Sequence, residues 1–406
     1  MQAKRFSTTA IIACALLACI GVGCWVIQLI QGLQVTGMSD NTSWGIYITL
    51  FMFFVGLSAG GLIVASSAHV FNIEKFKQVA LPAVITSTVC ICLAAIFVLL
   101  DLGGIQKILN LFIYPNFASP LMWDVCVISL YLIINILDIV WIKKGDERRV
   151  GVLSRFALPT AIMVHSVTAW IFGLQIGRTW YTAILAPIFV ASACDSGLSL
   201  LLLALMVLEY KGMFQVGDEL FKSLAGLLAT FIAVDAFFIA CELLTMGYPG
   251  AAEAEALRVM ATGATAPYFW FEIVCGLILP FTMLVFSRNR SRRGLVAFSS
   301  VLVILGVLCK RVWLLFTGFV APYVDGSPVA SALAPAGASG LSFGALGAVY
   351  APTLIECAIV IGVVALGVLA FMVLSNALLS DGAKKDAGTK AAVSDGTGLQ
   401  PVVEVG

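Results

Sequence analysis

The chain has 406 residues, of which 61% are hydrophobic and only 11% charged, whereas a soluble domain carries about a quarter charged residues. That deficit excludes a water-soluble globular protein, and a net charge of +1 gives no electrostatic footing for nucleic acid or another polyanion. The eleven cysteines are scattered, with only Cys90 and Cys92 close together and no CxxC; iron–sulfur and zinc sites need clustered thiolates, so these read as small apolar packing residues.

A helix needs about 20 predominantly apolar residues to cross the hydrocarbon of a bilayer. Ten stretches meet that length: 8–30, 45–71, 79–100, 120–142, 154–176, 184–208, 222–247, 267–287, 294–318 and 348–378. The fold class expected is therefore all-α integral membrane, with residues 1–380 as a single polytopic domain. In the first stretch, Lys4 and Arg5 precede the apolar run and Leu16-Leu17-Ala18-Cys19 resembles a lipoprotein cleavage box. The run continues to Ile30, beyond the 7–15 residues of a signal-peptide core, so an uncleaved helix is expected. Interior prolines at 159, 187 and 280 are tolerable where neighbouring helices satisfy the freed backbone groups.

Lysine and arginine set the expected orientation. With the N-terminus inside, 18 of the 23 fall in inner segments, three (Lys107, Arg178, Arg258) in outer loops, and Lys310 and Arg311 lie within the ninth helix. This bias places both termini in the cytoplasm. Residues 319–347 read as a broken outer loop, and 381–406 as a disordered cytoplasmic tail of small polar residues.

Ionisable groups inside a bilayer cost about 2.5–3.5 kcal/mol each on insertion scales and so mark function or pairing. Counted from the helix ends, His165, Asp195 and Asp235 fall near the middle, with no arginine expected beside them. Glu242, Glu272, Glu356, Lys310 and Arg311 fall in the outer half, where opposite charges at similar depth invite pairing, and Asp101 and Asp124 stand near the outer boundary. A histidine and carboxylates at one level can exchange protons; satisfied interior polar residues are the structural alternative. The only histidines are His69 and His165, whose levels differ by about 15 Å, so they do not suit one bis-histidine haem. Near the outer boundary Trp44, Tyr47, Trp123 and Asp124 begin the second and fourth helices. They read either as an aromatic belt or as the aromatic walls and polar groups that a quinone head requires.

Several stretches resemble the NrfD/polysulfide reductase membrane-subunit family. They are Trp44-Gly45-Ile46-Tyr47 running into Gly56-Leu57-Ser58-Ala59-Gly60-Gly61, Glu272-x3-Gly276-x3-Pro280, Arg311 followed by Gly318, and Tyr350-x-Pro352-x3-Glu356-x5-Gly362. The resemblance covers helices 2 to 10. It implies two four-helix bundles, helices 2–5 and 6–9, flanked by helices 1 and 10, in a subunit that exchanges electrons with menaquinone or another quinone and holds no haem or iron–sulfur cluster itself. It further implies a docked ferredoxin-like iron–sulfur subunit and a molybdopterin catalytic subunit. His165 and Asp195 look like a histidine–aspartate pair on a proposed proton path in the related alternative complex III membrane subunits. One departure is Ala59, where some members carry a histidine near the quinone, so another side chain must contact the carbonyl.

The expectation is a quinol-oxidising membrane anchor in the bacterial or archaeal cytoplasmic membrane, with the iron–sulfur partner on the extracytoplasmic face. Quinone-binding candidates are Trp44, Tyr47, Asp101, Trp123 and Asp124; candidates for a proton path are His165, Asp195, Asp235, Glu242, Glu272, Arg311 and Glu356. The competing reading, a secondary transporter or ion-conducting protein, also suits intramembrane charges.

Overall fold

The computed structural model describes residues 5–39, 42–104, 106–248, 252–320 and 350–379. The predicted tail 381–406 and nearly all of the predicted loop 319–347 lie outside the described residues. Among the described residues, ten helices are long and apolar enough to cross a membrane: α1 (Thr8–Gln31), α2 (Ile46–Val70), α3 (Ala80–Asp101), α4 (Pro120–Lys144), α5 (Glu147–Gly173), α6 (Leu185–Tyr210), α7 (Asp218–Gly247), α8 (Ala266–Leu284), α9 (Arg293–Val320) and α10 (Leu354–Leu378). Large apolar side chains such as Leu130, Ile133 and Ile136 on α4 and Phe156 on α5 are exposed on outward faces, as a multi-pass membrane protein requires.

Local chemistry sets the helix ends. Ser7 accepts from the Thr9 amide at the start of α1, and Asp146 accepts from the Arg149 amide at the start of α5, each satisfying an otherwise orphaned N–H. Gly145, at φ 71°, closes α4 in the left-handed conformation and lets α5 begin two residues later. That cap explains why α5 starts at Glu147 rather than at the predicted 154. Thr353 and Glu356 form a capping box on α10. Within α8, residues Phe271–Ile278 adopt a π-helix. Pro280 follows that stretch; it lacks an N–H and its ring crowds the carbonyl four residues earlier, which favours the wider turn. The amphipathic segments Lys107–Ile113 and Ala252–Thr262 form short helices between spans that hydropathy alone does not pick out.

Successive spans alternate between an N-terminal end and a far end. Phe6 donates to Asn376 and Lys143 to the Ala377 carbonyl at the former, whereas the Gly37 amide donates to Glu356 and Thr182 to Glu242 at the latter. In packing, α2 lies along α3 and α5, and α4 touches both of those; α6 lies along α7 and α9, and α8 touches both of those. Helix α2 also packs along α6 and α9, while α1 and α10 pair with each other and α10 rests on α3. In their most apolar stretches 89% of α2 but only 6% of α1 is buried, so α2 is the axis of the molecule and α1 a peripheral helix.

The joint between α2 and α6 is backbone on backbone. A Cβ on Gly60 would stand 2.0 Å from the Ala193 carbonyl oxygen, and one on Gly197 would stand 2.6 Å from the Gly60 Cα, so glycine at both positions permits the close approach. Gly60→Ala is expected to destabilise the detergent-solubilised protein by about 1–3 kcal/mol through overpacking. Gly23→Ala, whose Cβ would meet nothing within 4 Å, should leave the thermal midpoint where it is; a thermal-shift comparison of the two checks the claim.

Candidate functional site

Two features stand out inside the helices: an apolar cavity near the far end and a layer of buried charges beside it. The cavity, of about 380 Å³, opens between α2, α3, α4, α5 and the short helix Lys107–Ile113. Its walls include Trp44, Phe51, Phe112, Leu121, Ile128 and Phe172, and its polar groups are Asp101, Asp124 and Ser129. The size and lining are those of a small-molecule site, largely apolar with a few placed polar groups.

The two carboxyl groups differ in their surroundings. Asp124 is buried, and its Oδ1 accepts from the Thr168 hydroxyl at 2.7 Å. Asp101 Oδ1 is shielded from solvent and has no hydrogen-bond partner among the described residues. Trp44 contacts Phe172 edge-on at 5.3 Å between centroids and lies nearly parallel to Trp180 at 6.3 Å. Trp180 in turn meets Phe319, over which the Arg178 guanidinium sits at 4.8 Å. An aromatic cluster thus runs from the cavity wall to the far end of α9.

Of the five predicted quinone contacts, Trp44, Asp101 and Asp124 line the cavity together. Tyr47 does not: it is fully buried and donates to Gln28 Oε1 at 2.7 Å, while Gln28 Nε2 donates to the Leu100 carbonyl, tying α1, α2 and α3 together. Trp123 is 37% exposed and its indole N–H donates to the Phe117 carbonyl. It turns outward because Asp124, one position on, takes the inner face.

The charge layer is organised by two consecutive residues of α9. Neighbouring positions on a helix diverge by about 100°, so Lys310 faces α7 and α8 while Arg311 faces α5 and α6. Lys310 Nζ lies 2.8 Å from Asp235 Oδ2 on α7 and 3.1 Å from Glu272 Oε1 on α8. Glu272 also accepts from the Trp313 indole N–H, and the π-helix sets its direction toward α9. Arg311 Nη2 donates to the Ser192 hydroxyl at 2.8 Å and lies 3.2 Å from His165 Nε2, and its guanidinium covers the Phe189 ring at 3.8 Å. Two expectations are corrected here. His165 has an arginine directly beside it, and Asp235 belongs to an ion pair rather than standing free.

Glu242 and Glu356 also depart from the expected pairing with Lys310 or Arg311. Glu356 accepts from the Gly37 and Thr353 amides, each at 2.8 Å, and from the Tyr350 hydroxyl at 2.7 Å. Backbone donors at the helix start satisfy it, so it needs no cation. Glu242 accepts from Thr182 at 3.1 Å and lines a second, narrow cavity of about 40 Å³ with Lys310, Thr179 and Thr317, room for roughly one or two waters. Both oxygens of fully buried Asp195 lack a hydrogen-bond partner among the described residues, as do Nε and Nη1 of Arg311 and Nδ1 of His165. The layer therefore joins α5, α6, α7, α8 and α9, and its unpartnered atoms cluster on His165, Asp195 and Arg311.

Residues that sequence reasoning passed over complete the picture. Thr168 stands three positions after His165 and holds Asp124; Ser192 stands three positions before Asp195 and holds Arg311. In both cases a hydroxyl one turn from an ionisable residue on an apolar helix was the available signal. Among the described residues no group of three or more histidine, cysteine, aspartate and glutamate side chains could hold a metal ion. Lys310→Met would leave Asp235 and Glu272 buried without their shared cation, which is expected to cost about 3–5 kcal/mol. Adding Asp235→Asn should recover part of the assembled, monodisperse protein seen by size-exclusion chromatography; no recovery would mean that the pairing contributes nothing.

Residues 34–322 match the family described as polysulphide reductase, NrfD. The chain is 32% identical over 86% of its length to a putative dimethyl sulfoxide reductase membrane subunit of Halobacterium salinarum, covering 86% of that protein. It is 27% identical over 87% of its length to the Hdr-like menaquinol oxidoreductase integral membrane subunit of Archaeoglobus fulgidus, covering 89% of it. To a polysulfide reductase chain of Wolinella succinogenes it is 25% identical over 69% of its length, covering 95% of that protein.

Proposed function

The chain belongs to the polysulphide reductase NrfD family, and from that premise we propose that it is the quinol-oxidising membrane subunit of a respiratory oxidoreductase. The observation that carries this reading is the far-end cavity, where Trp44 and Phe172 form aromatic walls and Asp101 and Asp124 are the polar groups. A quinone head fits such a place: its ring needs apolar and aromatic surroundings, and the unpartnered Asp101 Oδ1 is an acceptor waiting for a hydroxyl. Ala59, where some family members carry a histidine, is not among the residues that line the cavity, so these two aspartates are the carboxylates available to the quinone here. The relative named as a menaquinol oxidoreductase subunit makes menaquinol the quinol favoured here.

Bound quinol supplies two electrons and two protons. Asp101 and Asp124 accept the protons in this reading, with Thr168 holding Asp124 in orientation and the apolar lining keeping bulk water from the redox chemistry. The electrons pass to a docked iron–sulfur subunit, with a molybdopterin catalytic subunit beyond it; relatives named as parts of dimethyl sulfoxide and polysulfide reductases support a multi-subunit assembly. Lysine and arginine crowd the N-terminal end, which we assign to the cytoplasm. The cavity then lies toward the extracytoplasmic side, and the aromatic cluster of Trp44, Phe172, Trp180 and Phe319 points to that same side as the docking face. His165, Arg311, Asp195, Asp235, Lys310 and Glu272 are the candidates for proton movement coupled to turnover, with Glu242 at the narrow cavity beside Lys310.

Asp124→Asn in the assembled complex is expected to lower quinol oxidation by about 10²-fold or more, the usual contribution of a positioned proton acceptor. Val125→Trp, which fills the cavity, should abolish binding of a quinone-analogue inhibitor. Tyr47→Phe should leave turnover within a factor of about two, because Tyr47 contacts Gln28 and not the cavity and so makes no contact that changes as the quinol reacts. Steady-state duroquinol oxidation and inhibitor titration check all three, and full activity in both cavity variants would move the site elsewhere.

A further inference from the structure

Helix α4 carries a polar row that the charge layer does not include. Asp124, Tyr131, Asn135 and Asp138 are separated by seven, four and three positions, which on a helix places them on one face. All four are buried, although the opposite face of α4 exposes Leu130, Ile133 and Ile136. The hydroxyl of Tyr131 lies 3.0 Å from Ser58 Oγ on α2 and 2.7 Å from Ser87 Oγ on α3. Ser87 donates to Asn135 Oδ1 at 2.8 Å, and the Tyr131 hydroxyl also reaches the Ser58 carbonyl at 2.9 Å.

That central cluster is well satisfied and would pass for interhelical glue, worth well under 1 kcal/mol per bond on average. Asp138 would not. It is 2% exposed, its Oδ1 has no hydrogen-bond partner among the described residues, and no ion pair is seen for it there. A carboxyl group inside a membrane helix without a counter-charge costs several kcal/mol and makes no structural return that the contacts reveal. Its position supplies a reason. The far-end cavity reaches down α4 as far as Ile128 and Ser129, and Tyr131 follows Ile128 by one turn on the same face. Asp138 follows Asn135 by one turn, and the end of α4 at Lys144 is six residues, about 9 Å, further on.

We propose that this face of α4 is a proton row linking the cavity to the N-terminal end of the molecule, with Asp138 as the group that exchanges protons at that end. The inference rests on the quinol reading of the cavity. When the two quinol O–H bonds break, Asp124 takes one proton and Asp101 the other, and the two electrons leave in turn to the one-electron carriers of the iron–sulfur partner. The proton on Asp124 passes at the cavity floor to the hydroxyl cluster, where each of Tyr131, Ser87 and Ser58 accepts one proton and releases another, and Asp138 receives it and gives it to water at the N-terminal end. Every hydroxyl ends as it began, so the row moves protons without net chemistry. It is separate from the His165–Arg311–Asp195–Lys310 layer, which runs across the molecule toward α7 and α8 rather than along α4.

The test uses the complete complex in sealed vesicles, with a tag at Met1 reporting which end faces outward, duroquinol as donor, a membrane-impermeant one-electron dye as acceptor, and pH indicators on both sides. Asp138→Asn is expected to reduce protons appearing at the N-terminal end per electron by about tenfold or more and to raise the solvent deuterium isotope effect on turnover. Asp138→Glu should restore both. Tyr131→Phe, which keeps the ring packing, should reproduce the loss in milder form and guards against a folding defect at Asp138. Wild-type proton release at the N-terminal end in assembled Asp138→Asn overturns the row while leaving the quinol reading intact. An assembled wild-type complex that oxidises no quinol overturns both.

Discussion

Lys310 is the constraint around which the interior is arranged. A lysine sealed among helices in hydrocarbon must be matched, and here it is matched by two carboxylates from two different helices, Asp235 and Glu272. That requirement fixes the rotation of α7, α8 and α9 relative to one another, and through the next residue it fixes the other half as well. Arg311 has to face the opposite way, into His165 of α5 and Ser192 of α6. One pair of adjacent residues thereby sets the register of five helices. The desolvation cost of such groups means that the arrangement contributes specificity more than raw stability, and among the described residues its remaining unpartnered atoms lie on Asp195, His165 and Arg311.

The architecture is largely legible from hydropathy. All ten spans follow from it, because twenty apolar residues in a row have few alternatives. Boundaries shift where caps intervene, as at Asp146 and Gly145, and the helices Lys107–Ile113 and Ala252–Thr262 are too short to register as spans. Chain order also leaves the π-helix before Pro280 unannounced, since a proline marks a disturbance without stating its form.

The site is half legible. Depth along a helix can be counted, and counting puts His165, Asp195 and Asp235 at one level and Trp44, Asp101 and Asp124 near one boundary, though it sets Arg311 further out than the His165 it meets. Azimuth cannot be counted across helices of unknown rotation, so pairing escapes it: Glu272 finds Lys310 rather than Arg311, and Glu356 is consumed by amides of its own helix start and of Gly37. The same gap explains Tyr47 and Trp123, which stand at the right level but point to Gln28 and to the Phe117 carbonyl. Polar residues that carry no formal charge and stand apart from ionisable ones, such as Tyr131, give no signal, because nothing in an isolated helix distinguishes a hydroxyl that faces a partner from one that bonds back to its own backbone.

The cavity and the charge layer share α5, and α2 joins α6 at a contact made by backbone alone. Where Gly60 meets Gly197 there are no rotamers to absorb a displacement, and tightly packed interiors pass strain on rather than dissipating it. Helix α2 forms a wall of the cavity, and α6 bears Ser192 and Asp195. The helix that walls the cavity and the helix whose Ser192 hydroxyl steadies the buried guanidinium therefore meet without a cushion between them.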